Sequence, residues 1–245
     1  MTTRDILGVP VMAMDGEAAR ALVAATIATG AHERFAFLNA HGANVACDDP
    51  AFREVLARFK VLPDGAGVDI ASRRLYGAAF PENLNGTDFV PTMLGATREP
   101  WTIGLWGAAP GVADEAALHW ARAFPQHAFR VVAHGFVEAD ARDTALRALE
   151  RAPVDLLLVA MGNPRQEFFI DAHVDARHAR VAMGVGALLD FAAGRVPRAP
   201  RLMRRLRCEW IYRLALEPRR MWRRYVWGNP LFLARVERQR RRGHA

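Results

Sequence analysis

The sequence predicts an α/β protein built on an open, doubly wound, mainly parallel sheet with helices on both faces. Short β-branched and apolar runs alternate along most of the chain with longer, alanine-rich amphipathic runs, which is the pattern of βα units stacked on a parallel sheet. Six of the short runs lead into a glycine-containing loop that opens a helix. At 245 residues, the chain is long enough for one large Rossmann-like domain with an appendage.

Six segments have the length and the apolar content of buried parallel strands. In chain order, these are Arg34–Asn39, Lys60–Pro63, Trp101–Trp106, Phe129–Ala133, Asp155–Ala160 and Arg180–Val185. Amphipathic spacing predicts helices at Gly16–Thr29, Pro50–Phe59, Val112–Ala123, Ala139–Arg151 and Gln166–His173. Asp15 and Gly30 suit the start and the stop of the first helix, as an N-cap and a C-terminal glycine.

The composition changes at Arg195, which divides the chain into a predicted domain, residues 1–194, and a basic helical appendage, residues 195–245. The appendage holds sixteen arginines and three acidic residues, a net charge of +13 against +7 for the whole chain, so the first 194 residues sum to −6. Tryptophans and tyrosines interleave with these arginines, which favours contact with an anionic membrane surface or an anionic ligand. Nucleic-acid binding, or a solvated basic face whose aromatic residues pack on the body, fits the same pattern.

Cysteine usage and hydropathy indicate the compartment. Cys47 and Cys208 are far apart in the sequence and lack metal-ligand spacing, so we expect neither a disulfide framework nor a zinc site. The protein is therefore expected in a reducing compartment. The first residues lack the basic start and apolar run of a signal peptide, and no window reaches the ~18 apolar residues of a membrane span. We therefore expect a soluble or peripheral protein on the cytoplasmic side of the membrane.

The loops that follow the predicted strands indicate where a ligand binds, because ligands of open α/β sheets lie beyond the carboxyl ends of the strands. Glycine lets backbone N–H groups and helix N-termini approach phosphate closely, which favours a nucleotide or a diphosphate. No GxGxxG, GxxxxGK[ST] or GxSxG motif occurs, which argues against a dinucleotide oxidoreductase, a P-loop enzyme and a serine hydrolase. The loops are Asn39-Ala40-His41-Gly42, Pro63–Gly67, Gly107–Gly111, His134-Gly135-Phe136, Met161–Gln166 and Gly184–Gly186.

Five titratable residues near these loops have both a functional and a structural interpretation. Asp64 suits a general base for a sugar hydroxyl, or equally an N-cap for a helix starting near Val68. Asp88 fits a helix cap or dipole partner better than a ligand, and Asp190 fits a ribose contact or a cap. His41 and His134 are phosphate or sugar ligands in one interpretation and structurally satisfied histidines in the other.

Several ordered motifs resemble those of the WecG/TagA/CpsF family of bacterial glycosyltransferases over about residues 5–227. They include Val61–Gly67, Asn85–Asp88, Gly107–Gly111, Met161–Glu167, Gly184–Gly194, Pro197–Pro200 and Glu209–Leu214. The resemblance implies an inverting enzyme that moves a sugar from a UDP-sugar to a polyprenyl-diphosphate-linked sugar at the cytoplasmic membrane face, in the synthesis of cell-surface polysaccharide. It also implies a peripheral enzyme without a bound metal or other cofactor, in which protein groups neutralise the leaving UDP. The resemblance does not imply nucleic acid as a partner, and it leaves open whether the protein forms a homo-oligomer.

The resemblance also implies roles for individual residues. Asp64 falls on the proposed catalytic base, Asn39 and Gln166 on polar active-site positions, and Asp190 on a nucleotide-contacting position. Arginines of the appendage are candidates to reach the active site, namely Arg207, Arg213, Arg220 and Arg223. The remaining candidates for substrate binding are His41, Asn83, Asp88, Gly107, Gly111, His134, Phe136, Gly162, Asn163, Arg165 and Gly186.

Departures from the family pattern concern the sugar. Phe37 stands where many members have threonine, Asn83 where many have arginine, and Ala40-His41 where Pro-Glu is usual, while Phe136 is the aromatic residue of a Gly-Tyr-Phe-like loop. These changes alter the hydrogen bonding available to a sugar. An N-acetylmannosamine, a glucose and a uronic acid are therefore all open as the donor sugar. The alternative of a different class is a basic nucleic-acid-binding or scaffold protein without catalysis.

Overall fold

The computed structural model describes residues 2–200, 203, 209–216 and 218–243. Its centre is an eight-stranded sheet in the order β1-β2-β4-β3-β8-β7-β5-β6. Only β1 runs antiparallel, against β2, and all other neighbours are parallel. The strands are β1 Thr3–Ile6, β2 Val9–Met12, β3 Glu33–Leu38, β4 Lys60–Pro63, β5 Thr102–Gly107, β6 Ala128–Ala133, β7 Val154–Ala160 and β8 Ala179–Gly184.

Helices follow most of the strands and cover both faces of the sheet. In the body they are α1 Gly16–Thr29, α2 Ala40–Asp48, α3 Pro50–Leu56, α4 Gly65–Tyr76, α5 Gly86–Ala96, α6 Val112–Ala123, α7 Ala139–Arg151, α8 Arg165–His173 and α9 Leu188–Ala192. After residue 208 come α10 Glu209–Leu216, α11 Pro218–Trp222, a π-helix Arg223–Trp227 and α12 Gly228–Arg242.

The predicted α/β class and all six predicted strands are confirmed, with ends that differ by at most one residue. The helices predicted at Gly16–Thr29, Val112–Ala123 and Ala139–Arg151 have the bounds that the sequence indicated. The Asp15 side chain accepts a hydrogen bond from the Ala18 N–H, and Gly30 ends α1 with a φ of 71°. Both residues therefore have the capping roles that their types favour.

Three assignments near the strand ends were wrong. The segment Asn39–Gly42 is not a loop, because Asn39 caps α2 and the next residues form its first turn. The helix expected near Val68 begins at Gly65, and the helix from Pro50 ends at Leu56 instead of Phe59. Glycine is unfavourable inside a helix, which is why the glycines at the starts of α2 and α4 favoured loops in the sequence. After Leu56, the N–H groups of Arg58 and Phe59 bond three residues back, so the α-helical pattern ends although the apolar spacing continues to Phe59.

Two apolar clusters fill the two faces of the sheet. One cluster includes Phe52 and Val68, from α3 and α4, and also Phe232 and Val236 from α12, both of which are 0–1% exposed. The last helix therefore packs against α2 and α4 as part of the core. The boundary between residues 194 and 195 stays a prediction, but the end of the chain shares its apolar core with the body.

Polar contacts hold α12 at two further points. The Arg235 guanidinium pairs with the Asp48 carboxylate and donates to the Asn44 carbonyl at 2.9 Å. Gln239 accepts a hydrogen bond from the Leu7 N–H at 2.9 Å and donates to Asp5 in the β1–β2 hairpin. In the parts of the chain with described structure, no helix is both long and apolar enough to cross a bilayer.

Candidate active site

The neighbouring strands β3 and β4 bring two predicted site residues together. Leu38 pairs with Pro63 in the sheet, and the Asp64 N–H donates to the Leu38 carbonyl at 2.9 Å. Because the two strands are parallel and in this register, the residues that follow them, Asn39 and Asp64, lie side by side. The Asn39 Nδ2 donates to the Asp64 Oδ2 at 3.1 Å, while its Oδ1 caps α2 by accepting from the Gly42 N–H at 3.0 Å.

Asp64 occupies the N-cap position of α4, but its side chain makes no capping hydrogen bond. Its carboxylate instead contacts the Asn39 amide, and it is half-buried at a cavity. The next residue, Gly65, has a φ of 87°, a conformation that favours glycine and lets the chain turn directly into the helix. The capping hydrogen bond that one interpretation of Asp64 requires is therefore absent, and the role of the carboxylate as a general base stays a prediction.

A cavity of about 580 Å³ opens beside Asp64, at the carboxyl ends of β3 and β4. Its wall combines residues from the body with residues from the C-terminal helices. From the body come Asn39, Ala40, His41, Asp64, Gly65, Ala66, Gly67, Ile70, Glu82, Asn83, Asn85, Thr87, Asp88 and Phe191. From the C-terminal helices come Trp210, Arg224, Tyr225, Asn229, Phe232 and Leu233.

The basic groups in this wall are His41, in the first turn of α2, and Arg224, in the π-helix. Burial lowers the pKa of His41 to about 4, and the positive charge of Arg224 lowers it further in the same direction. The imidazole is therefore neutral at neutral pH and acts as a hydrogen-bond donor and acceptor. Among the described residues of the wall, Arg224 carries a permanent positive charge. A phosphate bound in the cavity would be attracted to this guanidinium.

The start of α5 forms another part of the wall through Asn85 and Asp88. Asn85 caps the helix by accepting from the Asp88 N–H at 3.0 Å, and its Nδ2 donates to the Asp88 Oδ2 at 3.0 Å. Asp88 also pairs with the Arg198 guanidinium at 2.7 Å, and Arg198 stacks on the Phe191 ring at 5.3 Å. Asp88 thus has the helix-terminal role that the sequence favoured. Arg198 belongs to the Pro197–Pro200 motif, but nothing in the sequence indicated its contact with Asp88.

Gln166 is 4% exposed and is not among the residues that line the cavity. Its Oε1 accepts from the Gly186 N–H at 2.9 Å, and its Nε2 donates to the Glu167 Oε1 at 2.8 Å. A Cβ at Gly184 would lie 2.9 Å from the Gln166 Nε2, so β8 needs glycine there. Burial raises the pKa of Glu167, although hydrogen bonds from Gln166 and Asn163 act in the opposite direction. In this structure, Gln166 holds the loop after β8 and is not part of the cavity surface.

The other predicted site residues lie outside the cavity lining. At the ends of β5 and β6, the Gly135 N–H donates to the Ala108 carbonyl, and the His134 Nδ1 accepts from the Phe136 N–H at 3.2 Å. The Phe136 ring is 66% exposed, while Asp190 lies in the first turn of α9. The backbone has positive φ angles at Gly107, Gly111, Gly162 and Gly186. The peptide bond between Asn163 and Pro164 is cis, and the Arg165 side chain is exposed.

The predicted arginines of the appendage have different outcomes. Arg207 lies outside the described residues, as do the side chains of Arg213 and Arg220. Arg223 is exposed and lies over the Trp222 ring at 5.6 Å, away from the cavity lining. Among the appendage arginines whose side chains are described, Arg224, which was not among those named from the sequence, lines the cavity. Its position depends on the π-helix, which arginine spacing alone did not indicate.

No group of three or more metal-binding side chains occurs among the residues with described placement. Metal-independent catalysis stays a prediction, because a metal can also be held jointly by a substrate and fewer protein ligands.

Comparison with known proteins identifies the class. The sequence profile described as the glycosyl transferase WecG/TagA/CpsF family matches residues 4–245. Two relatives named N-acetylglucosaminyldiphosphoundecaprenol N-acetyl-beta-D-mannosaminyltransferase are similar to the chain. The one from Bacillus spizizenii (strain W23) is 34% identical over 74% of this chain and 70% of the relative. The one from Bacillus subtilis (strain 168) is 33% identical over 77% of this chain and 73% of the relative.

A relative with the same name from Staphylococcus aureus (strain MRSA252) is 28% identical over 81% of this chain and 77% of the relative. An α/β sheet with a carboxylate at the cavity beyond its strand ends fits a group-transfer enzyme, and the chain is a glycosyltransferase. It belongs to the WecG/TagA/CpsF family. The resemblance stated from the motifs is confirmed, and the alternative of a noncatalytic nucleic-acid-binding or scaffold protein is not favoured.

Proposed function

We propose that this glycosyltransferase moves a hexosyl group from a UDP-sugar to a polyprenyl-diphosphate-linked sugar, with inversion at the anomeric carbon. The observation that supports this most directly is the Asp64 carboxylate, which contacts Asn39 and faces a cavity large enough for sugar groups. The named relatives act on a diphosphoundecaprenol-linked N-acetylglucosamine, which supports the same class of acceptor here. The pathway is the synthesis of a cell-surface polysaccharide.

In the proposed reaction, Asp64 takes the proton from an acceptor hydroxyl as that oxygen attacks the anomeric carbon of the donor. The bond between this carbon and the UDP oxygen breaks, and UDP leaves with the electron pair. Hydrogen bonding from Asn39 fixes the orientation of the carboxylate. Arg224 stabilises the negative charge that develops on the diphosphate, and the neutral His41 can donate one hydrogen bond to it.

The test of the base is Asp64→Asn, which keeps the size of the side chain and removes its basicity. We expect UDP to bind the variant about as well as the wild type, while transfer to a polyprenyl-diphosphate N-acetylglucosamine analogue falls about 10²- to 10⁴-fold. Asp114→Asn, on the exposed first turn of α6, is the matched control with the same change of charge. Full transfer activity in Asp64→Asn, or no UDP binding by the wild type, would contradict the proposal.

We propose further that the C-terminal helices hold the enzyme on the cytoplasmic membrane surface, where its acceptor lies. Exposed apolar side chains on these helices include Trp222, Val226 and Trp227, and Trp227 is 73% exposed. They stand beside the exposed Arg219 and Arg223, a combination that suits anionic headgroups. Sedimentation with anionic vesicles should exceed that with zwitterionic vesicles and fall in Trp227→Ala. Equal sedimentation with both vesicle types would contradict this proposal.

A further inference from the structure

The backbone on both sides of Asp64 is bonded to one short segment, residues 82–85. The Leu84 N–H donates to the Pro63 carbonyl at 2.9 Å, and the Gly65 N–H donates to the Asn83 Oδ1 at 2.6 Å. The residues before and after Asp64 therefore contact two consecutive residues of the same segment. Leu84 is 2% exposed and belongs to the apolar core, which holds the segment in place.

The same segment is tied to the starts of two other helices. The Glu82 carboxylate accepts from the N–H of Gly16, the first residue of α1, at 2.7 Å. Asn85 caps α5 by accepting from the Asp88 N–H at 3.0 Å. Three side chains of this segment thus accept N–H groups at the N-termini of α1, α4 and α5, where a helix cannot pair these groups internally. The segment is therefore anchored independently of its contact with the turn at Asp64.

The peptide bond between Asp64 and Gly65 is the part of this turn that the residue types leave least restricted. Gly65 has a φ of 87°, and no atom lies within 4 Å of the place where a Cβ would be. Because glycine adopts positive and negative φ about equally readily, this peptide plane can rotate when nothing else holds it. In the structure, its N–H points to the Asn83 Oδ1. A rotated plane would lose this hydrogen bond, so the bond selects the orientation that is present.

The orientation of this peptide affects the Asp64 carboxylate. Asp64 stands at the N-cap position of α4 with a ψ of 117°, and its side chain makes no capping hydrogen bond. An N-cap aspartate usually accepts from the N–H of the second or third helical residue. Here the carboxylate instead accepts from the Asn39 amide at 3.1 Å. Because side-chain rotamers depend on the backbone angles of the same residue, a change in ψ at Asp64 would change the preferred direction of the carboxylate.

We propose that Asn83 is a positioning residue, which fixes the peptide between Asp64 and Gly65 and thereby keeps the Asp64 carboxylate directed into the cavity. The proposal rests on the proposed function, in which Asp64 is the base. The atom of Asn83 that matters is its Oδ1, because a backbone N–H can only donate and needs an acceptor. Without this oxygen, the peptide can rotate and the carboxylate can turn to cap α4, away from the acceptor hydroxyl.

Two substitutions of similar size separate the effect of this oxygen from that of the rest of the side chain. Asn83→Asp keeps an acceptor for the Gly65 N–H, whereas Asn83→Leu removes it. We expect Asn83→Leu to lower kcat about 10- to 100-fold, because small displacements of a catalytic group have effects of this size, and to leave KM for the donor within about threefold. The kcat of Asn83→Asp should lie closer to that of the wild type than to that of Asn83→Leu.

Transfer is measured to the same acceptor analogue as for Asp64→Asn. The donor is whichever of UDP-N-acetylmannosamine, UDP-glucose and UDP-glucuronic acid the wild type uses fastest. Calorimetry of each variant with UDP alone shows whether the nucleotide still binds, and we expect the affinity for UDP to change by less than about threefold.

Hydrogen exchange at Gly65 tests the bond without any activity. Labelling with ¹³C-carbonyl aspartate and ¹⁵N-glycine selects the two Asp-Gly peptide bonds of the chain, Asp15-Gly16 and Asp64-Gly65. Asp15→Asn assigns the first signal by removing its label. Exchange at Gly65 should be about two- to tenfold faster in Asn83→Leu and nearly unchanged in Asn83→Asp, while exchange at Gly16 should stay the same in both variants.

Asp49→Leu is the matched control for the loss of a helix-capping acceptor. Asp49 accepts from the Ala51 and Phe52 N–H groups at the start of α3 and lies outside the described cavity lining. Its substitution should lower the melting temperature, as the loss of a cap does, without changing kcat. A fall in kcat that only accompanies lower stability would therefore appear in this control as well.

Three results would overturn the proposal. One is a wild-type kcat in Asn83→Leu, and another is a fall in Asn83→Asp as large as that in Asn83→Leu. The third is a raised KM for the donor without a lower kcat, which would indicate a substrate contact of Asn83 instead of a positioning role. In all three, transfer by the wild type remains and the proposed function stands. If the wild type neither binds UDP nor transfers a sugar, the proposed function itself fails.

Discussion

Substitution of Val236 tests whether the last helix is an integral part of the domain or a separable appendage. Val236 is fully buried in the cluster that contains Val68 and Phe52, although it belongs to α12 at the end of the chain. Val236→Ala removes two methyl groups, each worth about 0.8 kcal/mol when buried. The small cavity left behind adds to this loss. We expect the free energy of unfolding of the whole domain to fall by about 2–3 kcal/mol.

The assay is urea unfolding followed by far-UV circular dichroism, with hydrogen exchange of the native protein as a second measurement. Exchange should accelerate in the slowest-exchanging strands as well as in α12, by the factor of about 30–150 that corresponds to this free energy. Leu231→Ala is the matched control, because Leu231 lies on the same helix and is 36% exposed. It should lower the free energy of unfolding by less than about 1 kcal/mol.

One result would refute this reasoning. If Val236→Ala accelerates exchange in residues 228–242 alone and leaves the urea midpoint unchanged, then α12 opens independently of the sheet. The predicted boundary after residue 194 would then separate two parts of the chain that unfold independently. An equal loss in Leu231→Ala would show that helix propensity, and not burial of Val236, determines the change.

Three further outcomes follow from the structure. Gly107→Ala should destabilise by about 3 kcal/mol or more in thermal unfolding, because Gly107 has a φ of 133° and a Cβ there would lie 2.3 Å from the Ala160 carbonyl oxygen; a normal melting temperature would contradict this. For Glu167, burial raises the pKa in the folded state. Its contribution to the free energy of unfolding is therefore complete at low pH and is lost as pH rises through that pKa. Glu167→Gln should therefore gain stability relative to the wild type as pH rises, and urea midpoints that stay parallel from pH 5 to 9 would contradict it. The pKa of His41 is lowered from 6.5 to about 4. Its contribution to the free energy of unfolding is therefore present above about pH 6.5 and is lost as pH falls to about 4. This loss is about 1–2 kcal/mol after allowance for the partly exposed ring, and it should be absent in His41→Gln.

The sequence was sufficient for most of the sheet but not for its edge. The six predicted strands are buried runs, whose apolar content is unmistakable. The β1–β2 hairpin was missed because β1 has one fully buried residue, Ile6, and turns through Leu7 and Gly8, both at positive φ. Helix α5 was missed because it contains Pro91 and begins with Gly86, residue types that usually end a helix.

The sequence predicted those parts of the candidate site whose residues follow neighbouring strands of the sheet. Asn39 and Asp64 follow adjacent parallel strands, so their proximity follows from the fold class. The contact between Arg198 and Asp88 spans 110 positions, and nothing local to either residue indicates it. Arg224 likewise reaches the cavity through the packing of α12 on the body, which depends on tertiary contacts of Phe232 and Val236. Local patterns carry no information about such distant partners.

The bond between Gln239 and Asp5 has a consequence for the newly made protein. It joins residues 234 positions apart, at the first strand and the last helix. All eight strands of the sheet are therefore synthesised before the helix that contributes Phe232 and Leu233 to the cavity can dock. Until then, the apolar surface of α2 and α4 that this helix covers is open to chaperones and to other nascent chains. Translation that stops before Gly228 would yield a chain with all eight strands of the sheet, but without a complete site in which to hold a substrate.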